Sequence, residues 1–248
     1  MENKQDEIRF PSQLRVTDQD IDISGLTVDQ RSAFLNLFKR IIDIYRSTHK
    51  SRAVIALVGP TGSGKSVTAA LFRQMASQLD LDFQFETLGI DAFHYSDEYL
   101  LDHRTSHGTL KEVKGRFDTY DVDTLIKTLR DFNESKPVSL PAYSRTLHAA
   151  IENAYQMRAE KSLLLLEGLW LLFDRSGWEE ILNCIDYSIF IRADKDILRP
   201  YVIERHMRGG RSAEDAAHYY DGVDAENYDL VMATAPIADE ILPAYFYR

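Results

Sequence analysis

The stretch "IALVGPTGSGKSVTAALF" (residues 55–72) constrains the chain most. A short apolar run rich in β-branched residues, 53–59, reads as a buried parallel strand. It ends in a glycine-rich turn, and an amphipathic segment follows Lys65 and Ser66. The turn satisfies G-x-x-x-x-G-K-[S/T] between a strand and a helix, which is the context a phosphate-binding loop needs. Gly59, Gly62 and Gly64 let the backbone curl around an anion without Cβ clashes. The loop N–H groups then point inward, and the next helix adds its positive end. Gly59, Pro60, Thr61, Gly62, Ser63, Gly64, Lys65, Ser66 and Val67 are therefore the expected nucleotide cradle. Lys65 supplies a point charge for the β and γ phosphates, and Ser66 offers a hydroxyl to Mg²⁺.

The rest of the chain alternates in the same way. "FQFETLGID" (83–91), "SLLLLEG" (162–168) and "DYSIFIR" (186–192) read as further strands, and "ADEIL" as a last one. "SVTAALFRQMASQL", "DVDTLIKTLRDFNE", "DKDILRPYVIERHMR" and "SAEDAAHYYDGV" read as helices, the last two separated by Gly209-Gly210. Strands alternating with helices predict an α/β fold, a mainly parallel sheet covered on both faces as an α/β/α sandwich. Residues 1–26 are polar without clear periodicity and read as a loosely held arm. A helix follows over "TVDQRSAFLNLFKRIIDIYRST", with Thr27 and Gln30 in the pattern of a capping box. Residues 1–49 thus form an N-terminal arm and helix, and 50–248 the nucleotide-binding domain. Residues 94–120 form a long polar connection of the kind that is functional or mobile.

Ligands of such sheets bind at the carboxyl ends of the strands. That edge collects residues 59–66, Asp91 and Glu167. Asp91 has two readings: a strand-end cap, or a general base for a substrate hydroxyl. Phosphoryl transfer needs an aligned nucleophile and compensated charge more than covalent help. Glu167 ends an otherwise apolar strand, where a carboxylate is costly unless it meets a cation, and the Mg²⁺ of a nucleotide is one. In "RHMRGGRSAED", Arg205 and Arg208 share a helix face and Arg211 follows the glycine pair. They are either a solvated basic patch or a lid, about 199–221, whose arginines close over phosphates.

Composition removes several classes. The net charge of −10 argues against nucleic acid as the main partner, because a phosphate backbone needs clustered Lys and Arg. One cysteine, Cys184, excludes an internal disulfide framework and fits the cytoplasm, and its apolar surroundings mark it as core. The acidic start shows no signal peptide, and "LLLLEGLWLLF" is too short to span a membrane. No Asn-Lys-x-Asp guanine-reading motif and no Leu-Ser-Gly-Gly transporter signature occurs.

The order of "GPTGSGKS", "GIDAFHYS", "KGRFDTYDV", "LPAYSR", "LLLLEGLWLL", "DYSIFI" and "NYDLVMATAPIADEIL" resembles the P-loop kinase family of uridine kinase, phosphoribulokinase and bacterial pantothenate kinase. Within it the chain is most similar to a bacterial branch described as nucleoside/nucleotide kinase-like or fructose-transport-system kinases, over about residues 50–242. The resemblance implies the P-loop NTPase three-layer fold with a small helical lid, ATP and Mg²⁺, and a small-molecule acceptor bearing an alcohol. It implies Asp91 as catalytic base, Glu167 and Ser66 at the metal, and Lys65, Arg205 and Arg208 at the phosphates. It places the acceptor near His94, Tyr95, Lys114, Asp121, Tyr143 and Arg145. Relatives are often dimers or larger, so a homodimer is the implied assembly. The chain departs at Lys114-Gly115-Arg116-Phe117, where relatives carry Lys-Gly-x-Pro, and at Tyr143-Ser144-Arg145, where they carry Tyr-Asp-Arg. Both departures fall in the acceptor region. The competing reading is a nucleotide-binding regulator without turnover.

Overall fold

The computed structural model describes residues 8–106, 108–144, 149–158 and 160–245. Its first half runs β1 (Gln13–Val16), β2 (Gln19–Asp22), α1 (Val28–Ser47), β3 (Arg52–Val58), α2 (Lys65–Ala76), β4 (Gln84–Gly89), α3 (Asp97–Asp102), β5 (Arg104–Thr105) and β6 (Gly108–Thr109). The second half runs α4 (Val122–Asn133), β7 (Val138–Ser144), β8 (Ala149–Met157), β9 (Ser162–Gly168), β10 (Tyr187–Arg192), α5 (Lys195–Arg208), α6 (Ala213–Tyr219), α7 (Ala225–Ala233) and β11 (Glu240–Pro243).

Five of these strands form one parallel sheet in the order β11–β10–β3–β9–β4. Every residue of β3 is buried, because the strand is central and both of its faces are covered. Side-chain alternation then divides the core in two. Ala53, Ile55 and Leu57 pack with Phe34 and Phe38 of α1 and Leu71 and Phe72 of α2. Val54, Ala56 and Val58 pack on the other face with Leu125, Leu129 and Phe132 of α4 and with Trp170 and Trp178. The result is the three-layer α/β/α architecture expected from the alternation. Both neighbours of β3 come later in the chain, one on each side, so the connections diverge and leave a crevice at its carboxyl end. Register puts Val58 opposite Gly168 on β9, and Gly89 of β4 opposite Glu167. The ends of three strands therefore open onto one place.

α1 begins as read: Thr27 accepts from the Gln30 N–H, and the Gln30 side chain accepts from the Thr27 N–H. The segment before it differs from the sequence reading. Residues 13–22 form the antiparallel hairpin β1–β2, with Leu14, Val16 and Ile23 buried against the α2 side of the core. Its tip is tied across the molecule by Ser144 Oγ donating to Asp18 Oδ2 at 2.7 Å. The arm is thus a packed wall from residue 13 onward, because hairpin pairing gathers its few apolar residues onto one face. A second hairpin, β7–β8, contributes Leu140 and Met157 to the core while its outer residues stay exposed. The 94–120 connection carries α3 and the short β5–β6 pair, and its Leu100, Leu110 and Val113 form a small core with Val223 from the segment between α6 and α7. Among the described residues no helix is long and apolar enough to cross a membrane.

Candidate active site

The phosphate loop joins β3 to α2. Gly59 has φ +151°, and a Cβ there would lie 2.4 Å from the Ile191 carbonyl oxygen. Gly62 has φ +85°, and a Cβ there would lie 2.8 Å from Val202 Cγ2 on α5. Both positions need glycine, the second because the loop runs against α5. Gly64 caps α2 in the left-handed conformation. Lys65 is buried, and its Nζ donates to the Pro60 carbonyl at 2.8 Å and lies 3.4 Å from the buried Ser63 Oγ. The ammonium is thereby folded into the curl of the loop. Ser66 Oγ donates to Glu167 Oε1 at 2.8 Å, which joins the first turn of α2 to the end of β9.

Asp91 is the second residue after β4, in a short 3₁₀ segment over Ile90–Phe93. Tyr120 Oη donates to its Oδ1 at 3.2 Å. His94 Nε2 lies 3.9 Å from the same oxygen, while His94 Nδ1 meets the Thr119 carbonyl at 3.0 Å. The His94 ring stacks on Tyr120 with centroids 3.8 Å apart. Burial pulls the imidazole pKa down to about 4, against the opposing pull of Asp91 and the Thr119 carbonyl. His94 is therefore neutral at pH 7, with Nδ1 carrying the proton and Nε2 turned toward Asp91. Burial, and then Asp91, push the Tyr120 phenol well above its ordinary value, so it remains a donor.

Across the cleft, α5 brings Arg205 and Arg208, and the following turn brings Arg211. The Arg211 guanidinium sits 3.9 Å from the centre of the Tyr219 ring. Tyr219 Oη donates to the Lys114 carbonyl at 2.6 Å, tying α6 to the 94–120 connection. Lys114 pairs with Asp97 at 3.2 Å and lies 5.7 Å from the Tyr143 ring centre. Burial lowers its pKa, while Asp97 opposes the shift. Asn227 is 2% exposed; its Nδ2 donates to the Gly115 carbonyl, and its Oδ1 has no hydrogen-bond partner among the described residues. A buried amide oxygen facing a cleft without a partner calls for a donor from a ligand or water.

One cleft of about 500 Å³ unites most of these groups. Thr61, Gly62, Gly64, Lys65, Ser66 and Val67 line it from the cradle, with Gly59, Pro60 and Ser63 forming the loop behind them. Asp91, His94, Lys114, Tyr143, Glu167, Arg205 and Arg208 line the remainder. Two expected acceptor residues are elsewhere. Asp121 caps α4, with Oδ1 accepting from the Thr124 N–H and Oδ2 from the Thr124 hydroxyl. Tyr95 stacks on Tyr99 at 4.1 Å and packs against the small Leu100 core. Arg145 lies outside the described residues. Sequence reasoning missed Tyr120, Tyr219 and Asn227, and the hairpin residues Val16 and Ile21 that also line the cleft. The apolar alternation of Leu14 and Val16, then Ile21 and Ile23, was a usable signal for the hairpin. Tyr120 had none, since its partner is 29 residues away.

A parallel sheet with its first core strand at the centre, a phosphate loop at that strand's end and an arginine-bearing helix facing it define a P-loop kinase. The sequence model of the phosphoribulokinase / uridine kinase family matches residues 54–243, and the chain belongs to that family. It is an ATP-dependent kinase acting on a small molecule. It is similar to the uncharacterized protein YggC of Escherichia coli (strain K12), at 30% identity over 90% of this chain and 94% of that one. It is 28% identical to a pantothenate kinase of Pasteurella multocida (strain Pm70) over 86% of its length, and spans 66% of that longer protein. Among solved structures, a candidate fructose transport system kinase from Silicibacter sp. TM1040 superposes with a TM-score of 0.73 at 25% identity. That match covers 85% of this chain and 98% of the other.

Proposed function

We propose that the chain transfers the γ-phosphoryl group of ATP to an alcohol of a small molecule, with Asp91 as general base. The observation that carries this is the meeting of Lys65, Ser66, Asp91 and Glu167 on one cleft, at the ends of adjoining parallel strands. The loop amides and Lys65 bind the β and γ phosphates. The acceptor hydroxyl lies against Asp91, which the Tyr120 phenol holds in position. Its oxygen attacks the γ-phosphorus as the bond to the β–γ bridging oxygen breaks. The hydroxyl proton passes to the Asp91 carboxylate, and ADP leaves with the bridging oxygen. Arg205 and Arg208 on the lid helix compensate the charge spread over the moving phosphoryl group.

Ser66 and Glu167 suit a hard cation, being a hydroxyl and a carboxylate 2.8 Å apart. On this reading Mg²⁺ would be shared between Ser66, Glu167 and the phosphates of the nucleotide. Bound there, it supplies positive charge to the phosphate oxygens. The acceptor side is lined by His94, Lys114 and Tyr143, and the unpartnered Asn227 Oδ1 is matched by a hydroxyl donor.

Asp91→Asn tests the assignment. It keeps the shape of the site and removes the base, so acceptor-dependent ADP release should fall by about 10²-fold or more. ATP affinity, measured by calorimetric titration, should stay within a few-fold. Turnover near that of the wild type would overturn Asp91 as base.

A further inference from the structure

Two flanks of the main cleft come from distant parts of the chain. α5 and the turn after it supply Arg205, His206, Arg208 and Arg211, and the 94–120 connection supplies His94, Lys114 and Gly115. Tyr219, the last residue of α6, stands between them. On the α5 side the Arg211 guanidinium carbon lies 3.9 Å from the centre of the Tyr219 ring, and the His206 ring meets it edge-on at 5.0 Å. His206 is itself fixed, with Nε2 2.7 Å from Oδ2 of the buried Asp224. On the other side the Tyr219 hydroxyl donates to the Lys114 carbonyl at 2.6 Å. Burial, and then Asp224, push the phenol above its ordinary pKa, so the hydroxyl keeps the proton it donates.

The local backbone is shaped for this bridge. A π turn over Tyr220–Asp224 follows Tyr219 directly. Such a turn widens the helical repeat and occurs frequently at functional sites. Here it returns Asp224 to His206 and lays Val223 on Leu100, Leu110 and Val113 of the connection. The turn that Tyr219 grips is also held from its other side. The carbonyl of Gly115, the next residue, accepts from Trp170 Nε1 at 3.1 Å and from Asn227 Nδ2 at 3.3 Å. Trp170 is buried in the core beneath the sheet, so Gly115 is pinned to the sheet side while Lys114 is pinned to α6. Lys114 therefore enters the cleft from a turn whose two successive carbonyls are fixed by different elements.

We propose that Tyr219 is a positioning residue whose hydroxyl transmits engagement of the nucleotide's phosphates, by the arginines of α5 and by Arg211, to the Lys114–Gly115 turn. The inference rests on the kinase reading above. Phosphates that draw the arginines inward act on the Tyr219 ring through Arg211, and the hydroxyl carries that pull across the cleft to the Lys114 carbonyl. Tyr219 acts through Lys114 and does not touch the reacting atoms. Hydrogen exchange of the whole chain, with and without Mg²⁺ and a non-hydrolysable ATP analogue, tests this. The amides of Lys114, Gly115 and Arg116 report on the turn, because they donate to the Lys111 carbonyl, Thr119 Oγ1 and the Val113 carbonyl. In the wild type the analogue should slow exchange at 59–67 and, by about threefold or more, at 113–116. Tyr219→Phe keeps the ring and its contact with Arg211 and removes one hydrogen bond, so its Tm without ligand should stay within about 4 °C of the wild type. At saturating analogue, 59–67 should slow in this variant as before, while the response at 113–116 falls to less than half. In turnover with whichever of fructose, uridine, pantothenate and ribulose 5-phosphate most stimulates ADP release, Tyr219→Phe should raise the acceptor KM about fivefold and leave KM for ATP within about twofold. An undiminished response at 113–116 in Tyr219→Phe, an unchanged acceptor KM, or no response at 113–116 in the wild type while 59–67 slows, overturns this inference and leaves the kinase reading standing. No slowing at 59–67 in the wild type removes the nucleotide from the cradle and overturns both.

Discussion

At the scale of single residues, His94 couples the site to the stability of the fold. Its ring is 7% exposed, stacked on Tyr120, and held neutral by burial with a pKa of about 4 against 6.5 for a free imidazole. The unfolded chain therefore takes up this proton first as pH falls. His94 contributes stability that is whole above pH 6.5, declines below it, and is exhausted near pH 4. The separation of roughly 2.5 pH units sets a ceiling of about 3 kcal/mol, with about 2 kcal/mol gone by pH 5. Urea unfolding at pH 7.5 and pH 5 should show wild type losing about 2 kcal/mol more than His94→Asn over that interval. Parallel losses in the two proteins would mean that His94 does not titrate in the way its burial dictates. The same residue shows the limit of reading a site from sequence. The segment "GIDAFHYS" drew attention to Asp91 and His94, yet the neutral state of His94 depends on Thr119 and Tyr120, which only the fold brings near.

At the scale of elements, what the sequence disclosed was local and what it hid was paired at a distance. The start of α1 was legible because Thr27 and Gln30 satisfy each other three residues apart. The cradle was legible because its glycines, lysine and serine act on one loop. β1–β2 was not, since two four-residue strands with two or fewer buried positions each become a wall only when laid on α2. β7 was obscured by Pro141, a residue that sequence reasoning sets against strands and that sits here in a two-stranded edge where it is tolerated. Asp121 was nominated for the acceptor by its neighbours in the sequence and is spent on capping α4. The contact between the cradle and the lid helix gives this scale its prediction. Gly62→Ala places a methyl 2.8 Å from Val202 Cγ2 at φ +85°, so the loop must strain or α5 must move away. Stability should fall by about 1–3 kcal/mol. ATP affinity should drop about tenfold, since a shift of α5 would move Arg205 and Arg208 within the cleft they share with the loop. Unchanged affinity and melting temperature in Gly62→Ala would show that the loop and α5 are not in register as described.

At the scale of the whole molecule, the chain carries a net charge of −10 yet gathers Lys65, Lys114, Arg205, Arg208 and Arg211 around one cleft. On the proposed reading, a nucleotide bound there would touch the central strand's loop, the end of β9 through Ser66 and Glu167, and α5, so it would bridge parts that the unfolded chain holds far apart. Its binding energy then appears as stability of the entire fold. At a hundred times the dissociation constant, ligand linkage gives about 2.7 kcal/mol. For a domain of this size that corresponds to a rise in Tm of roughly 5–10 °C. Differential scanning fluorimetry with ATP and Mg²⁺ should show it. Lys65→Ala, compared with its own unliganded Tm, should lose most of the rise if the ammonium meets the phosphates as proposed. Duplex DNA at the same phosphate concentration should produce no shift, since its backbone would meet the acidic surface before the recessed cleft. A full rise in Lys65→Ala would move nucleotide binding away from the cradle, and a rise with DNA would contradict the charge distribution on which its exclusion rests.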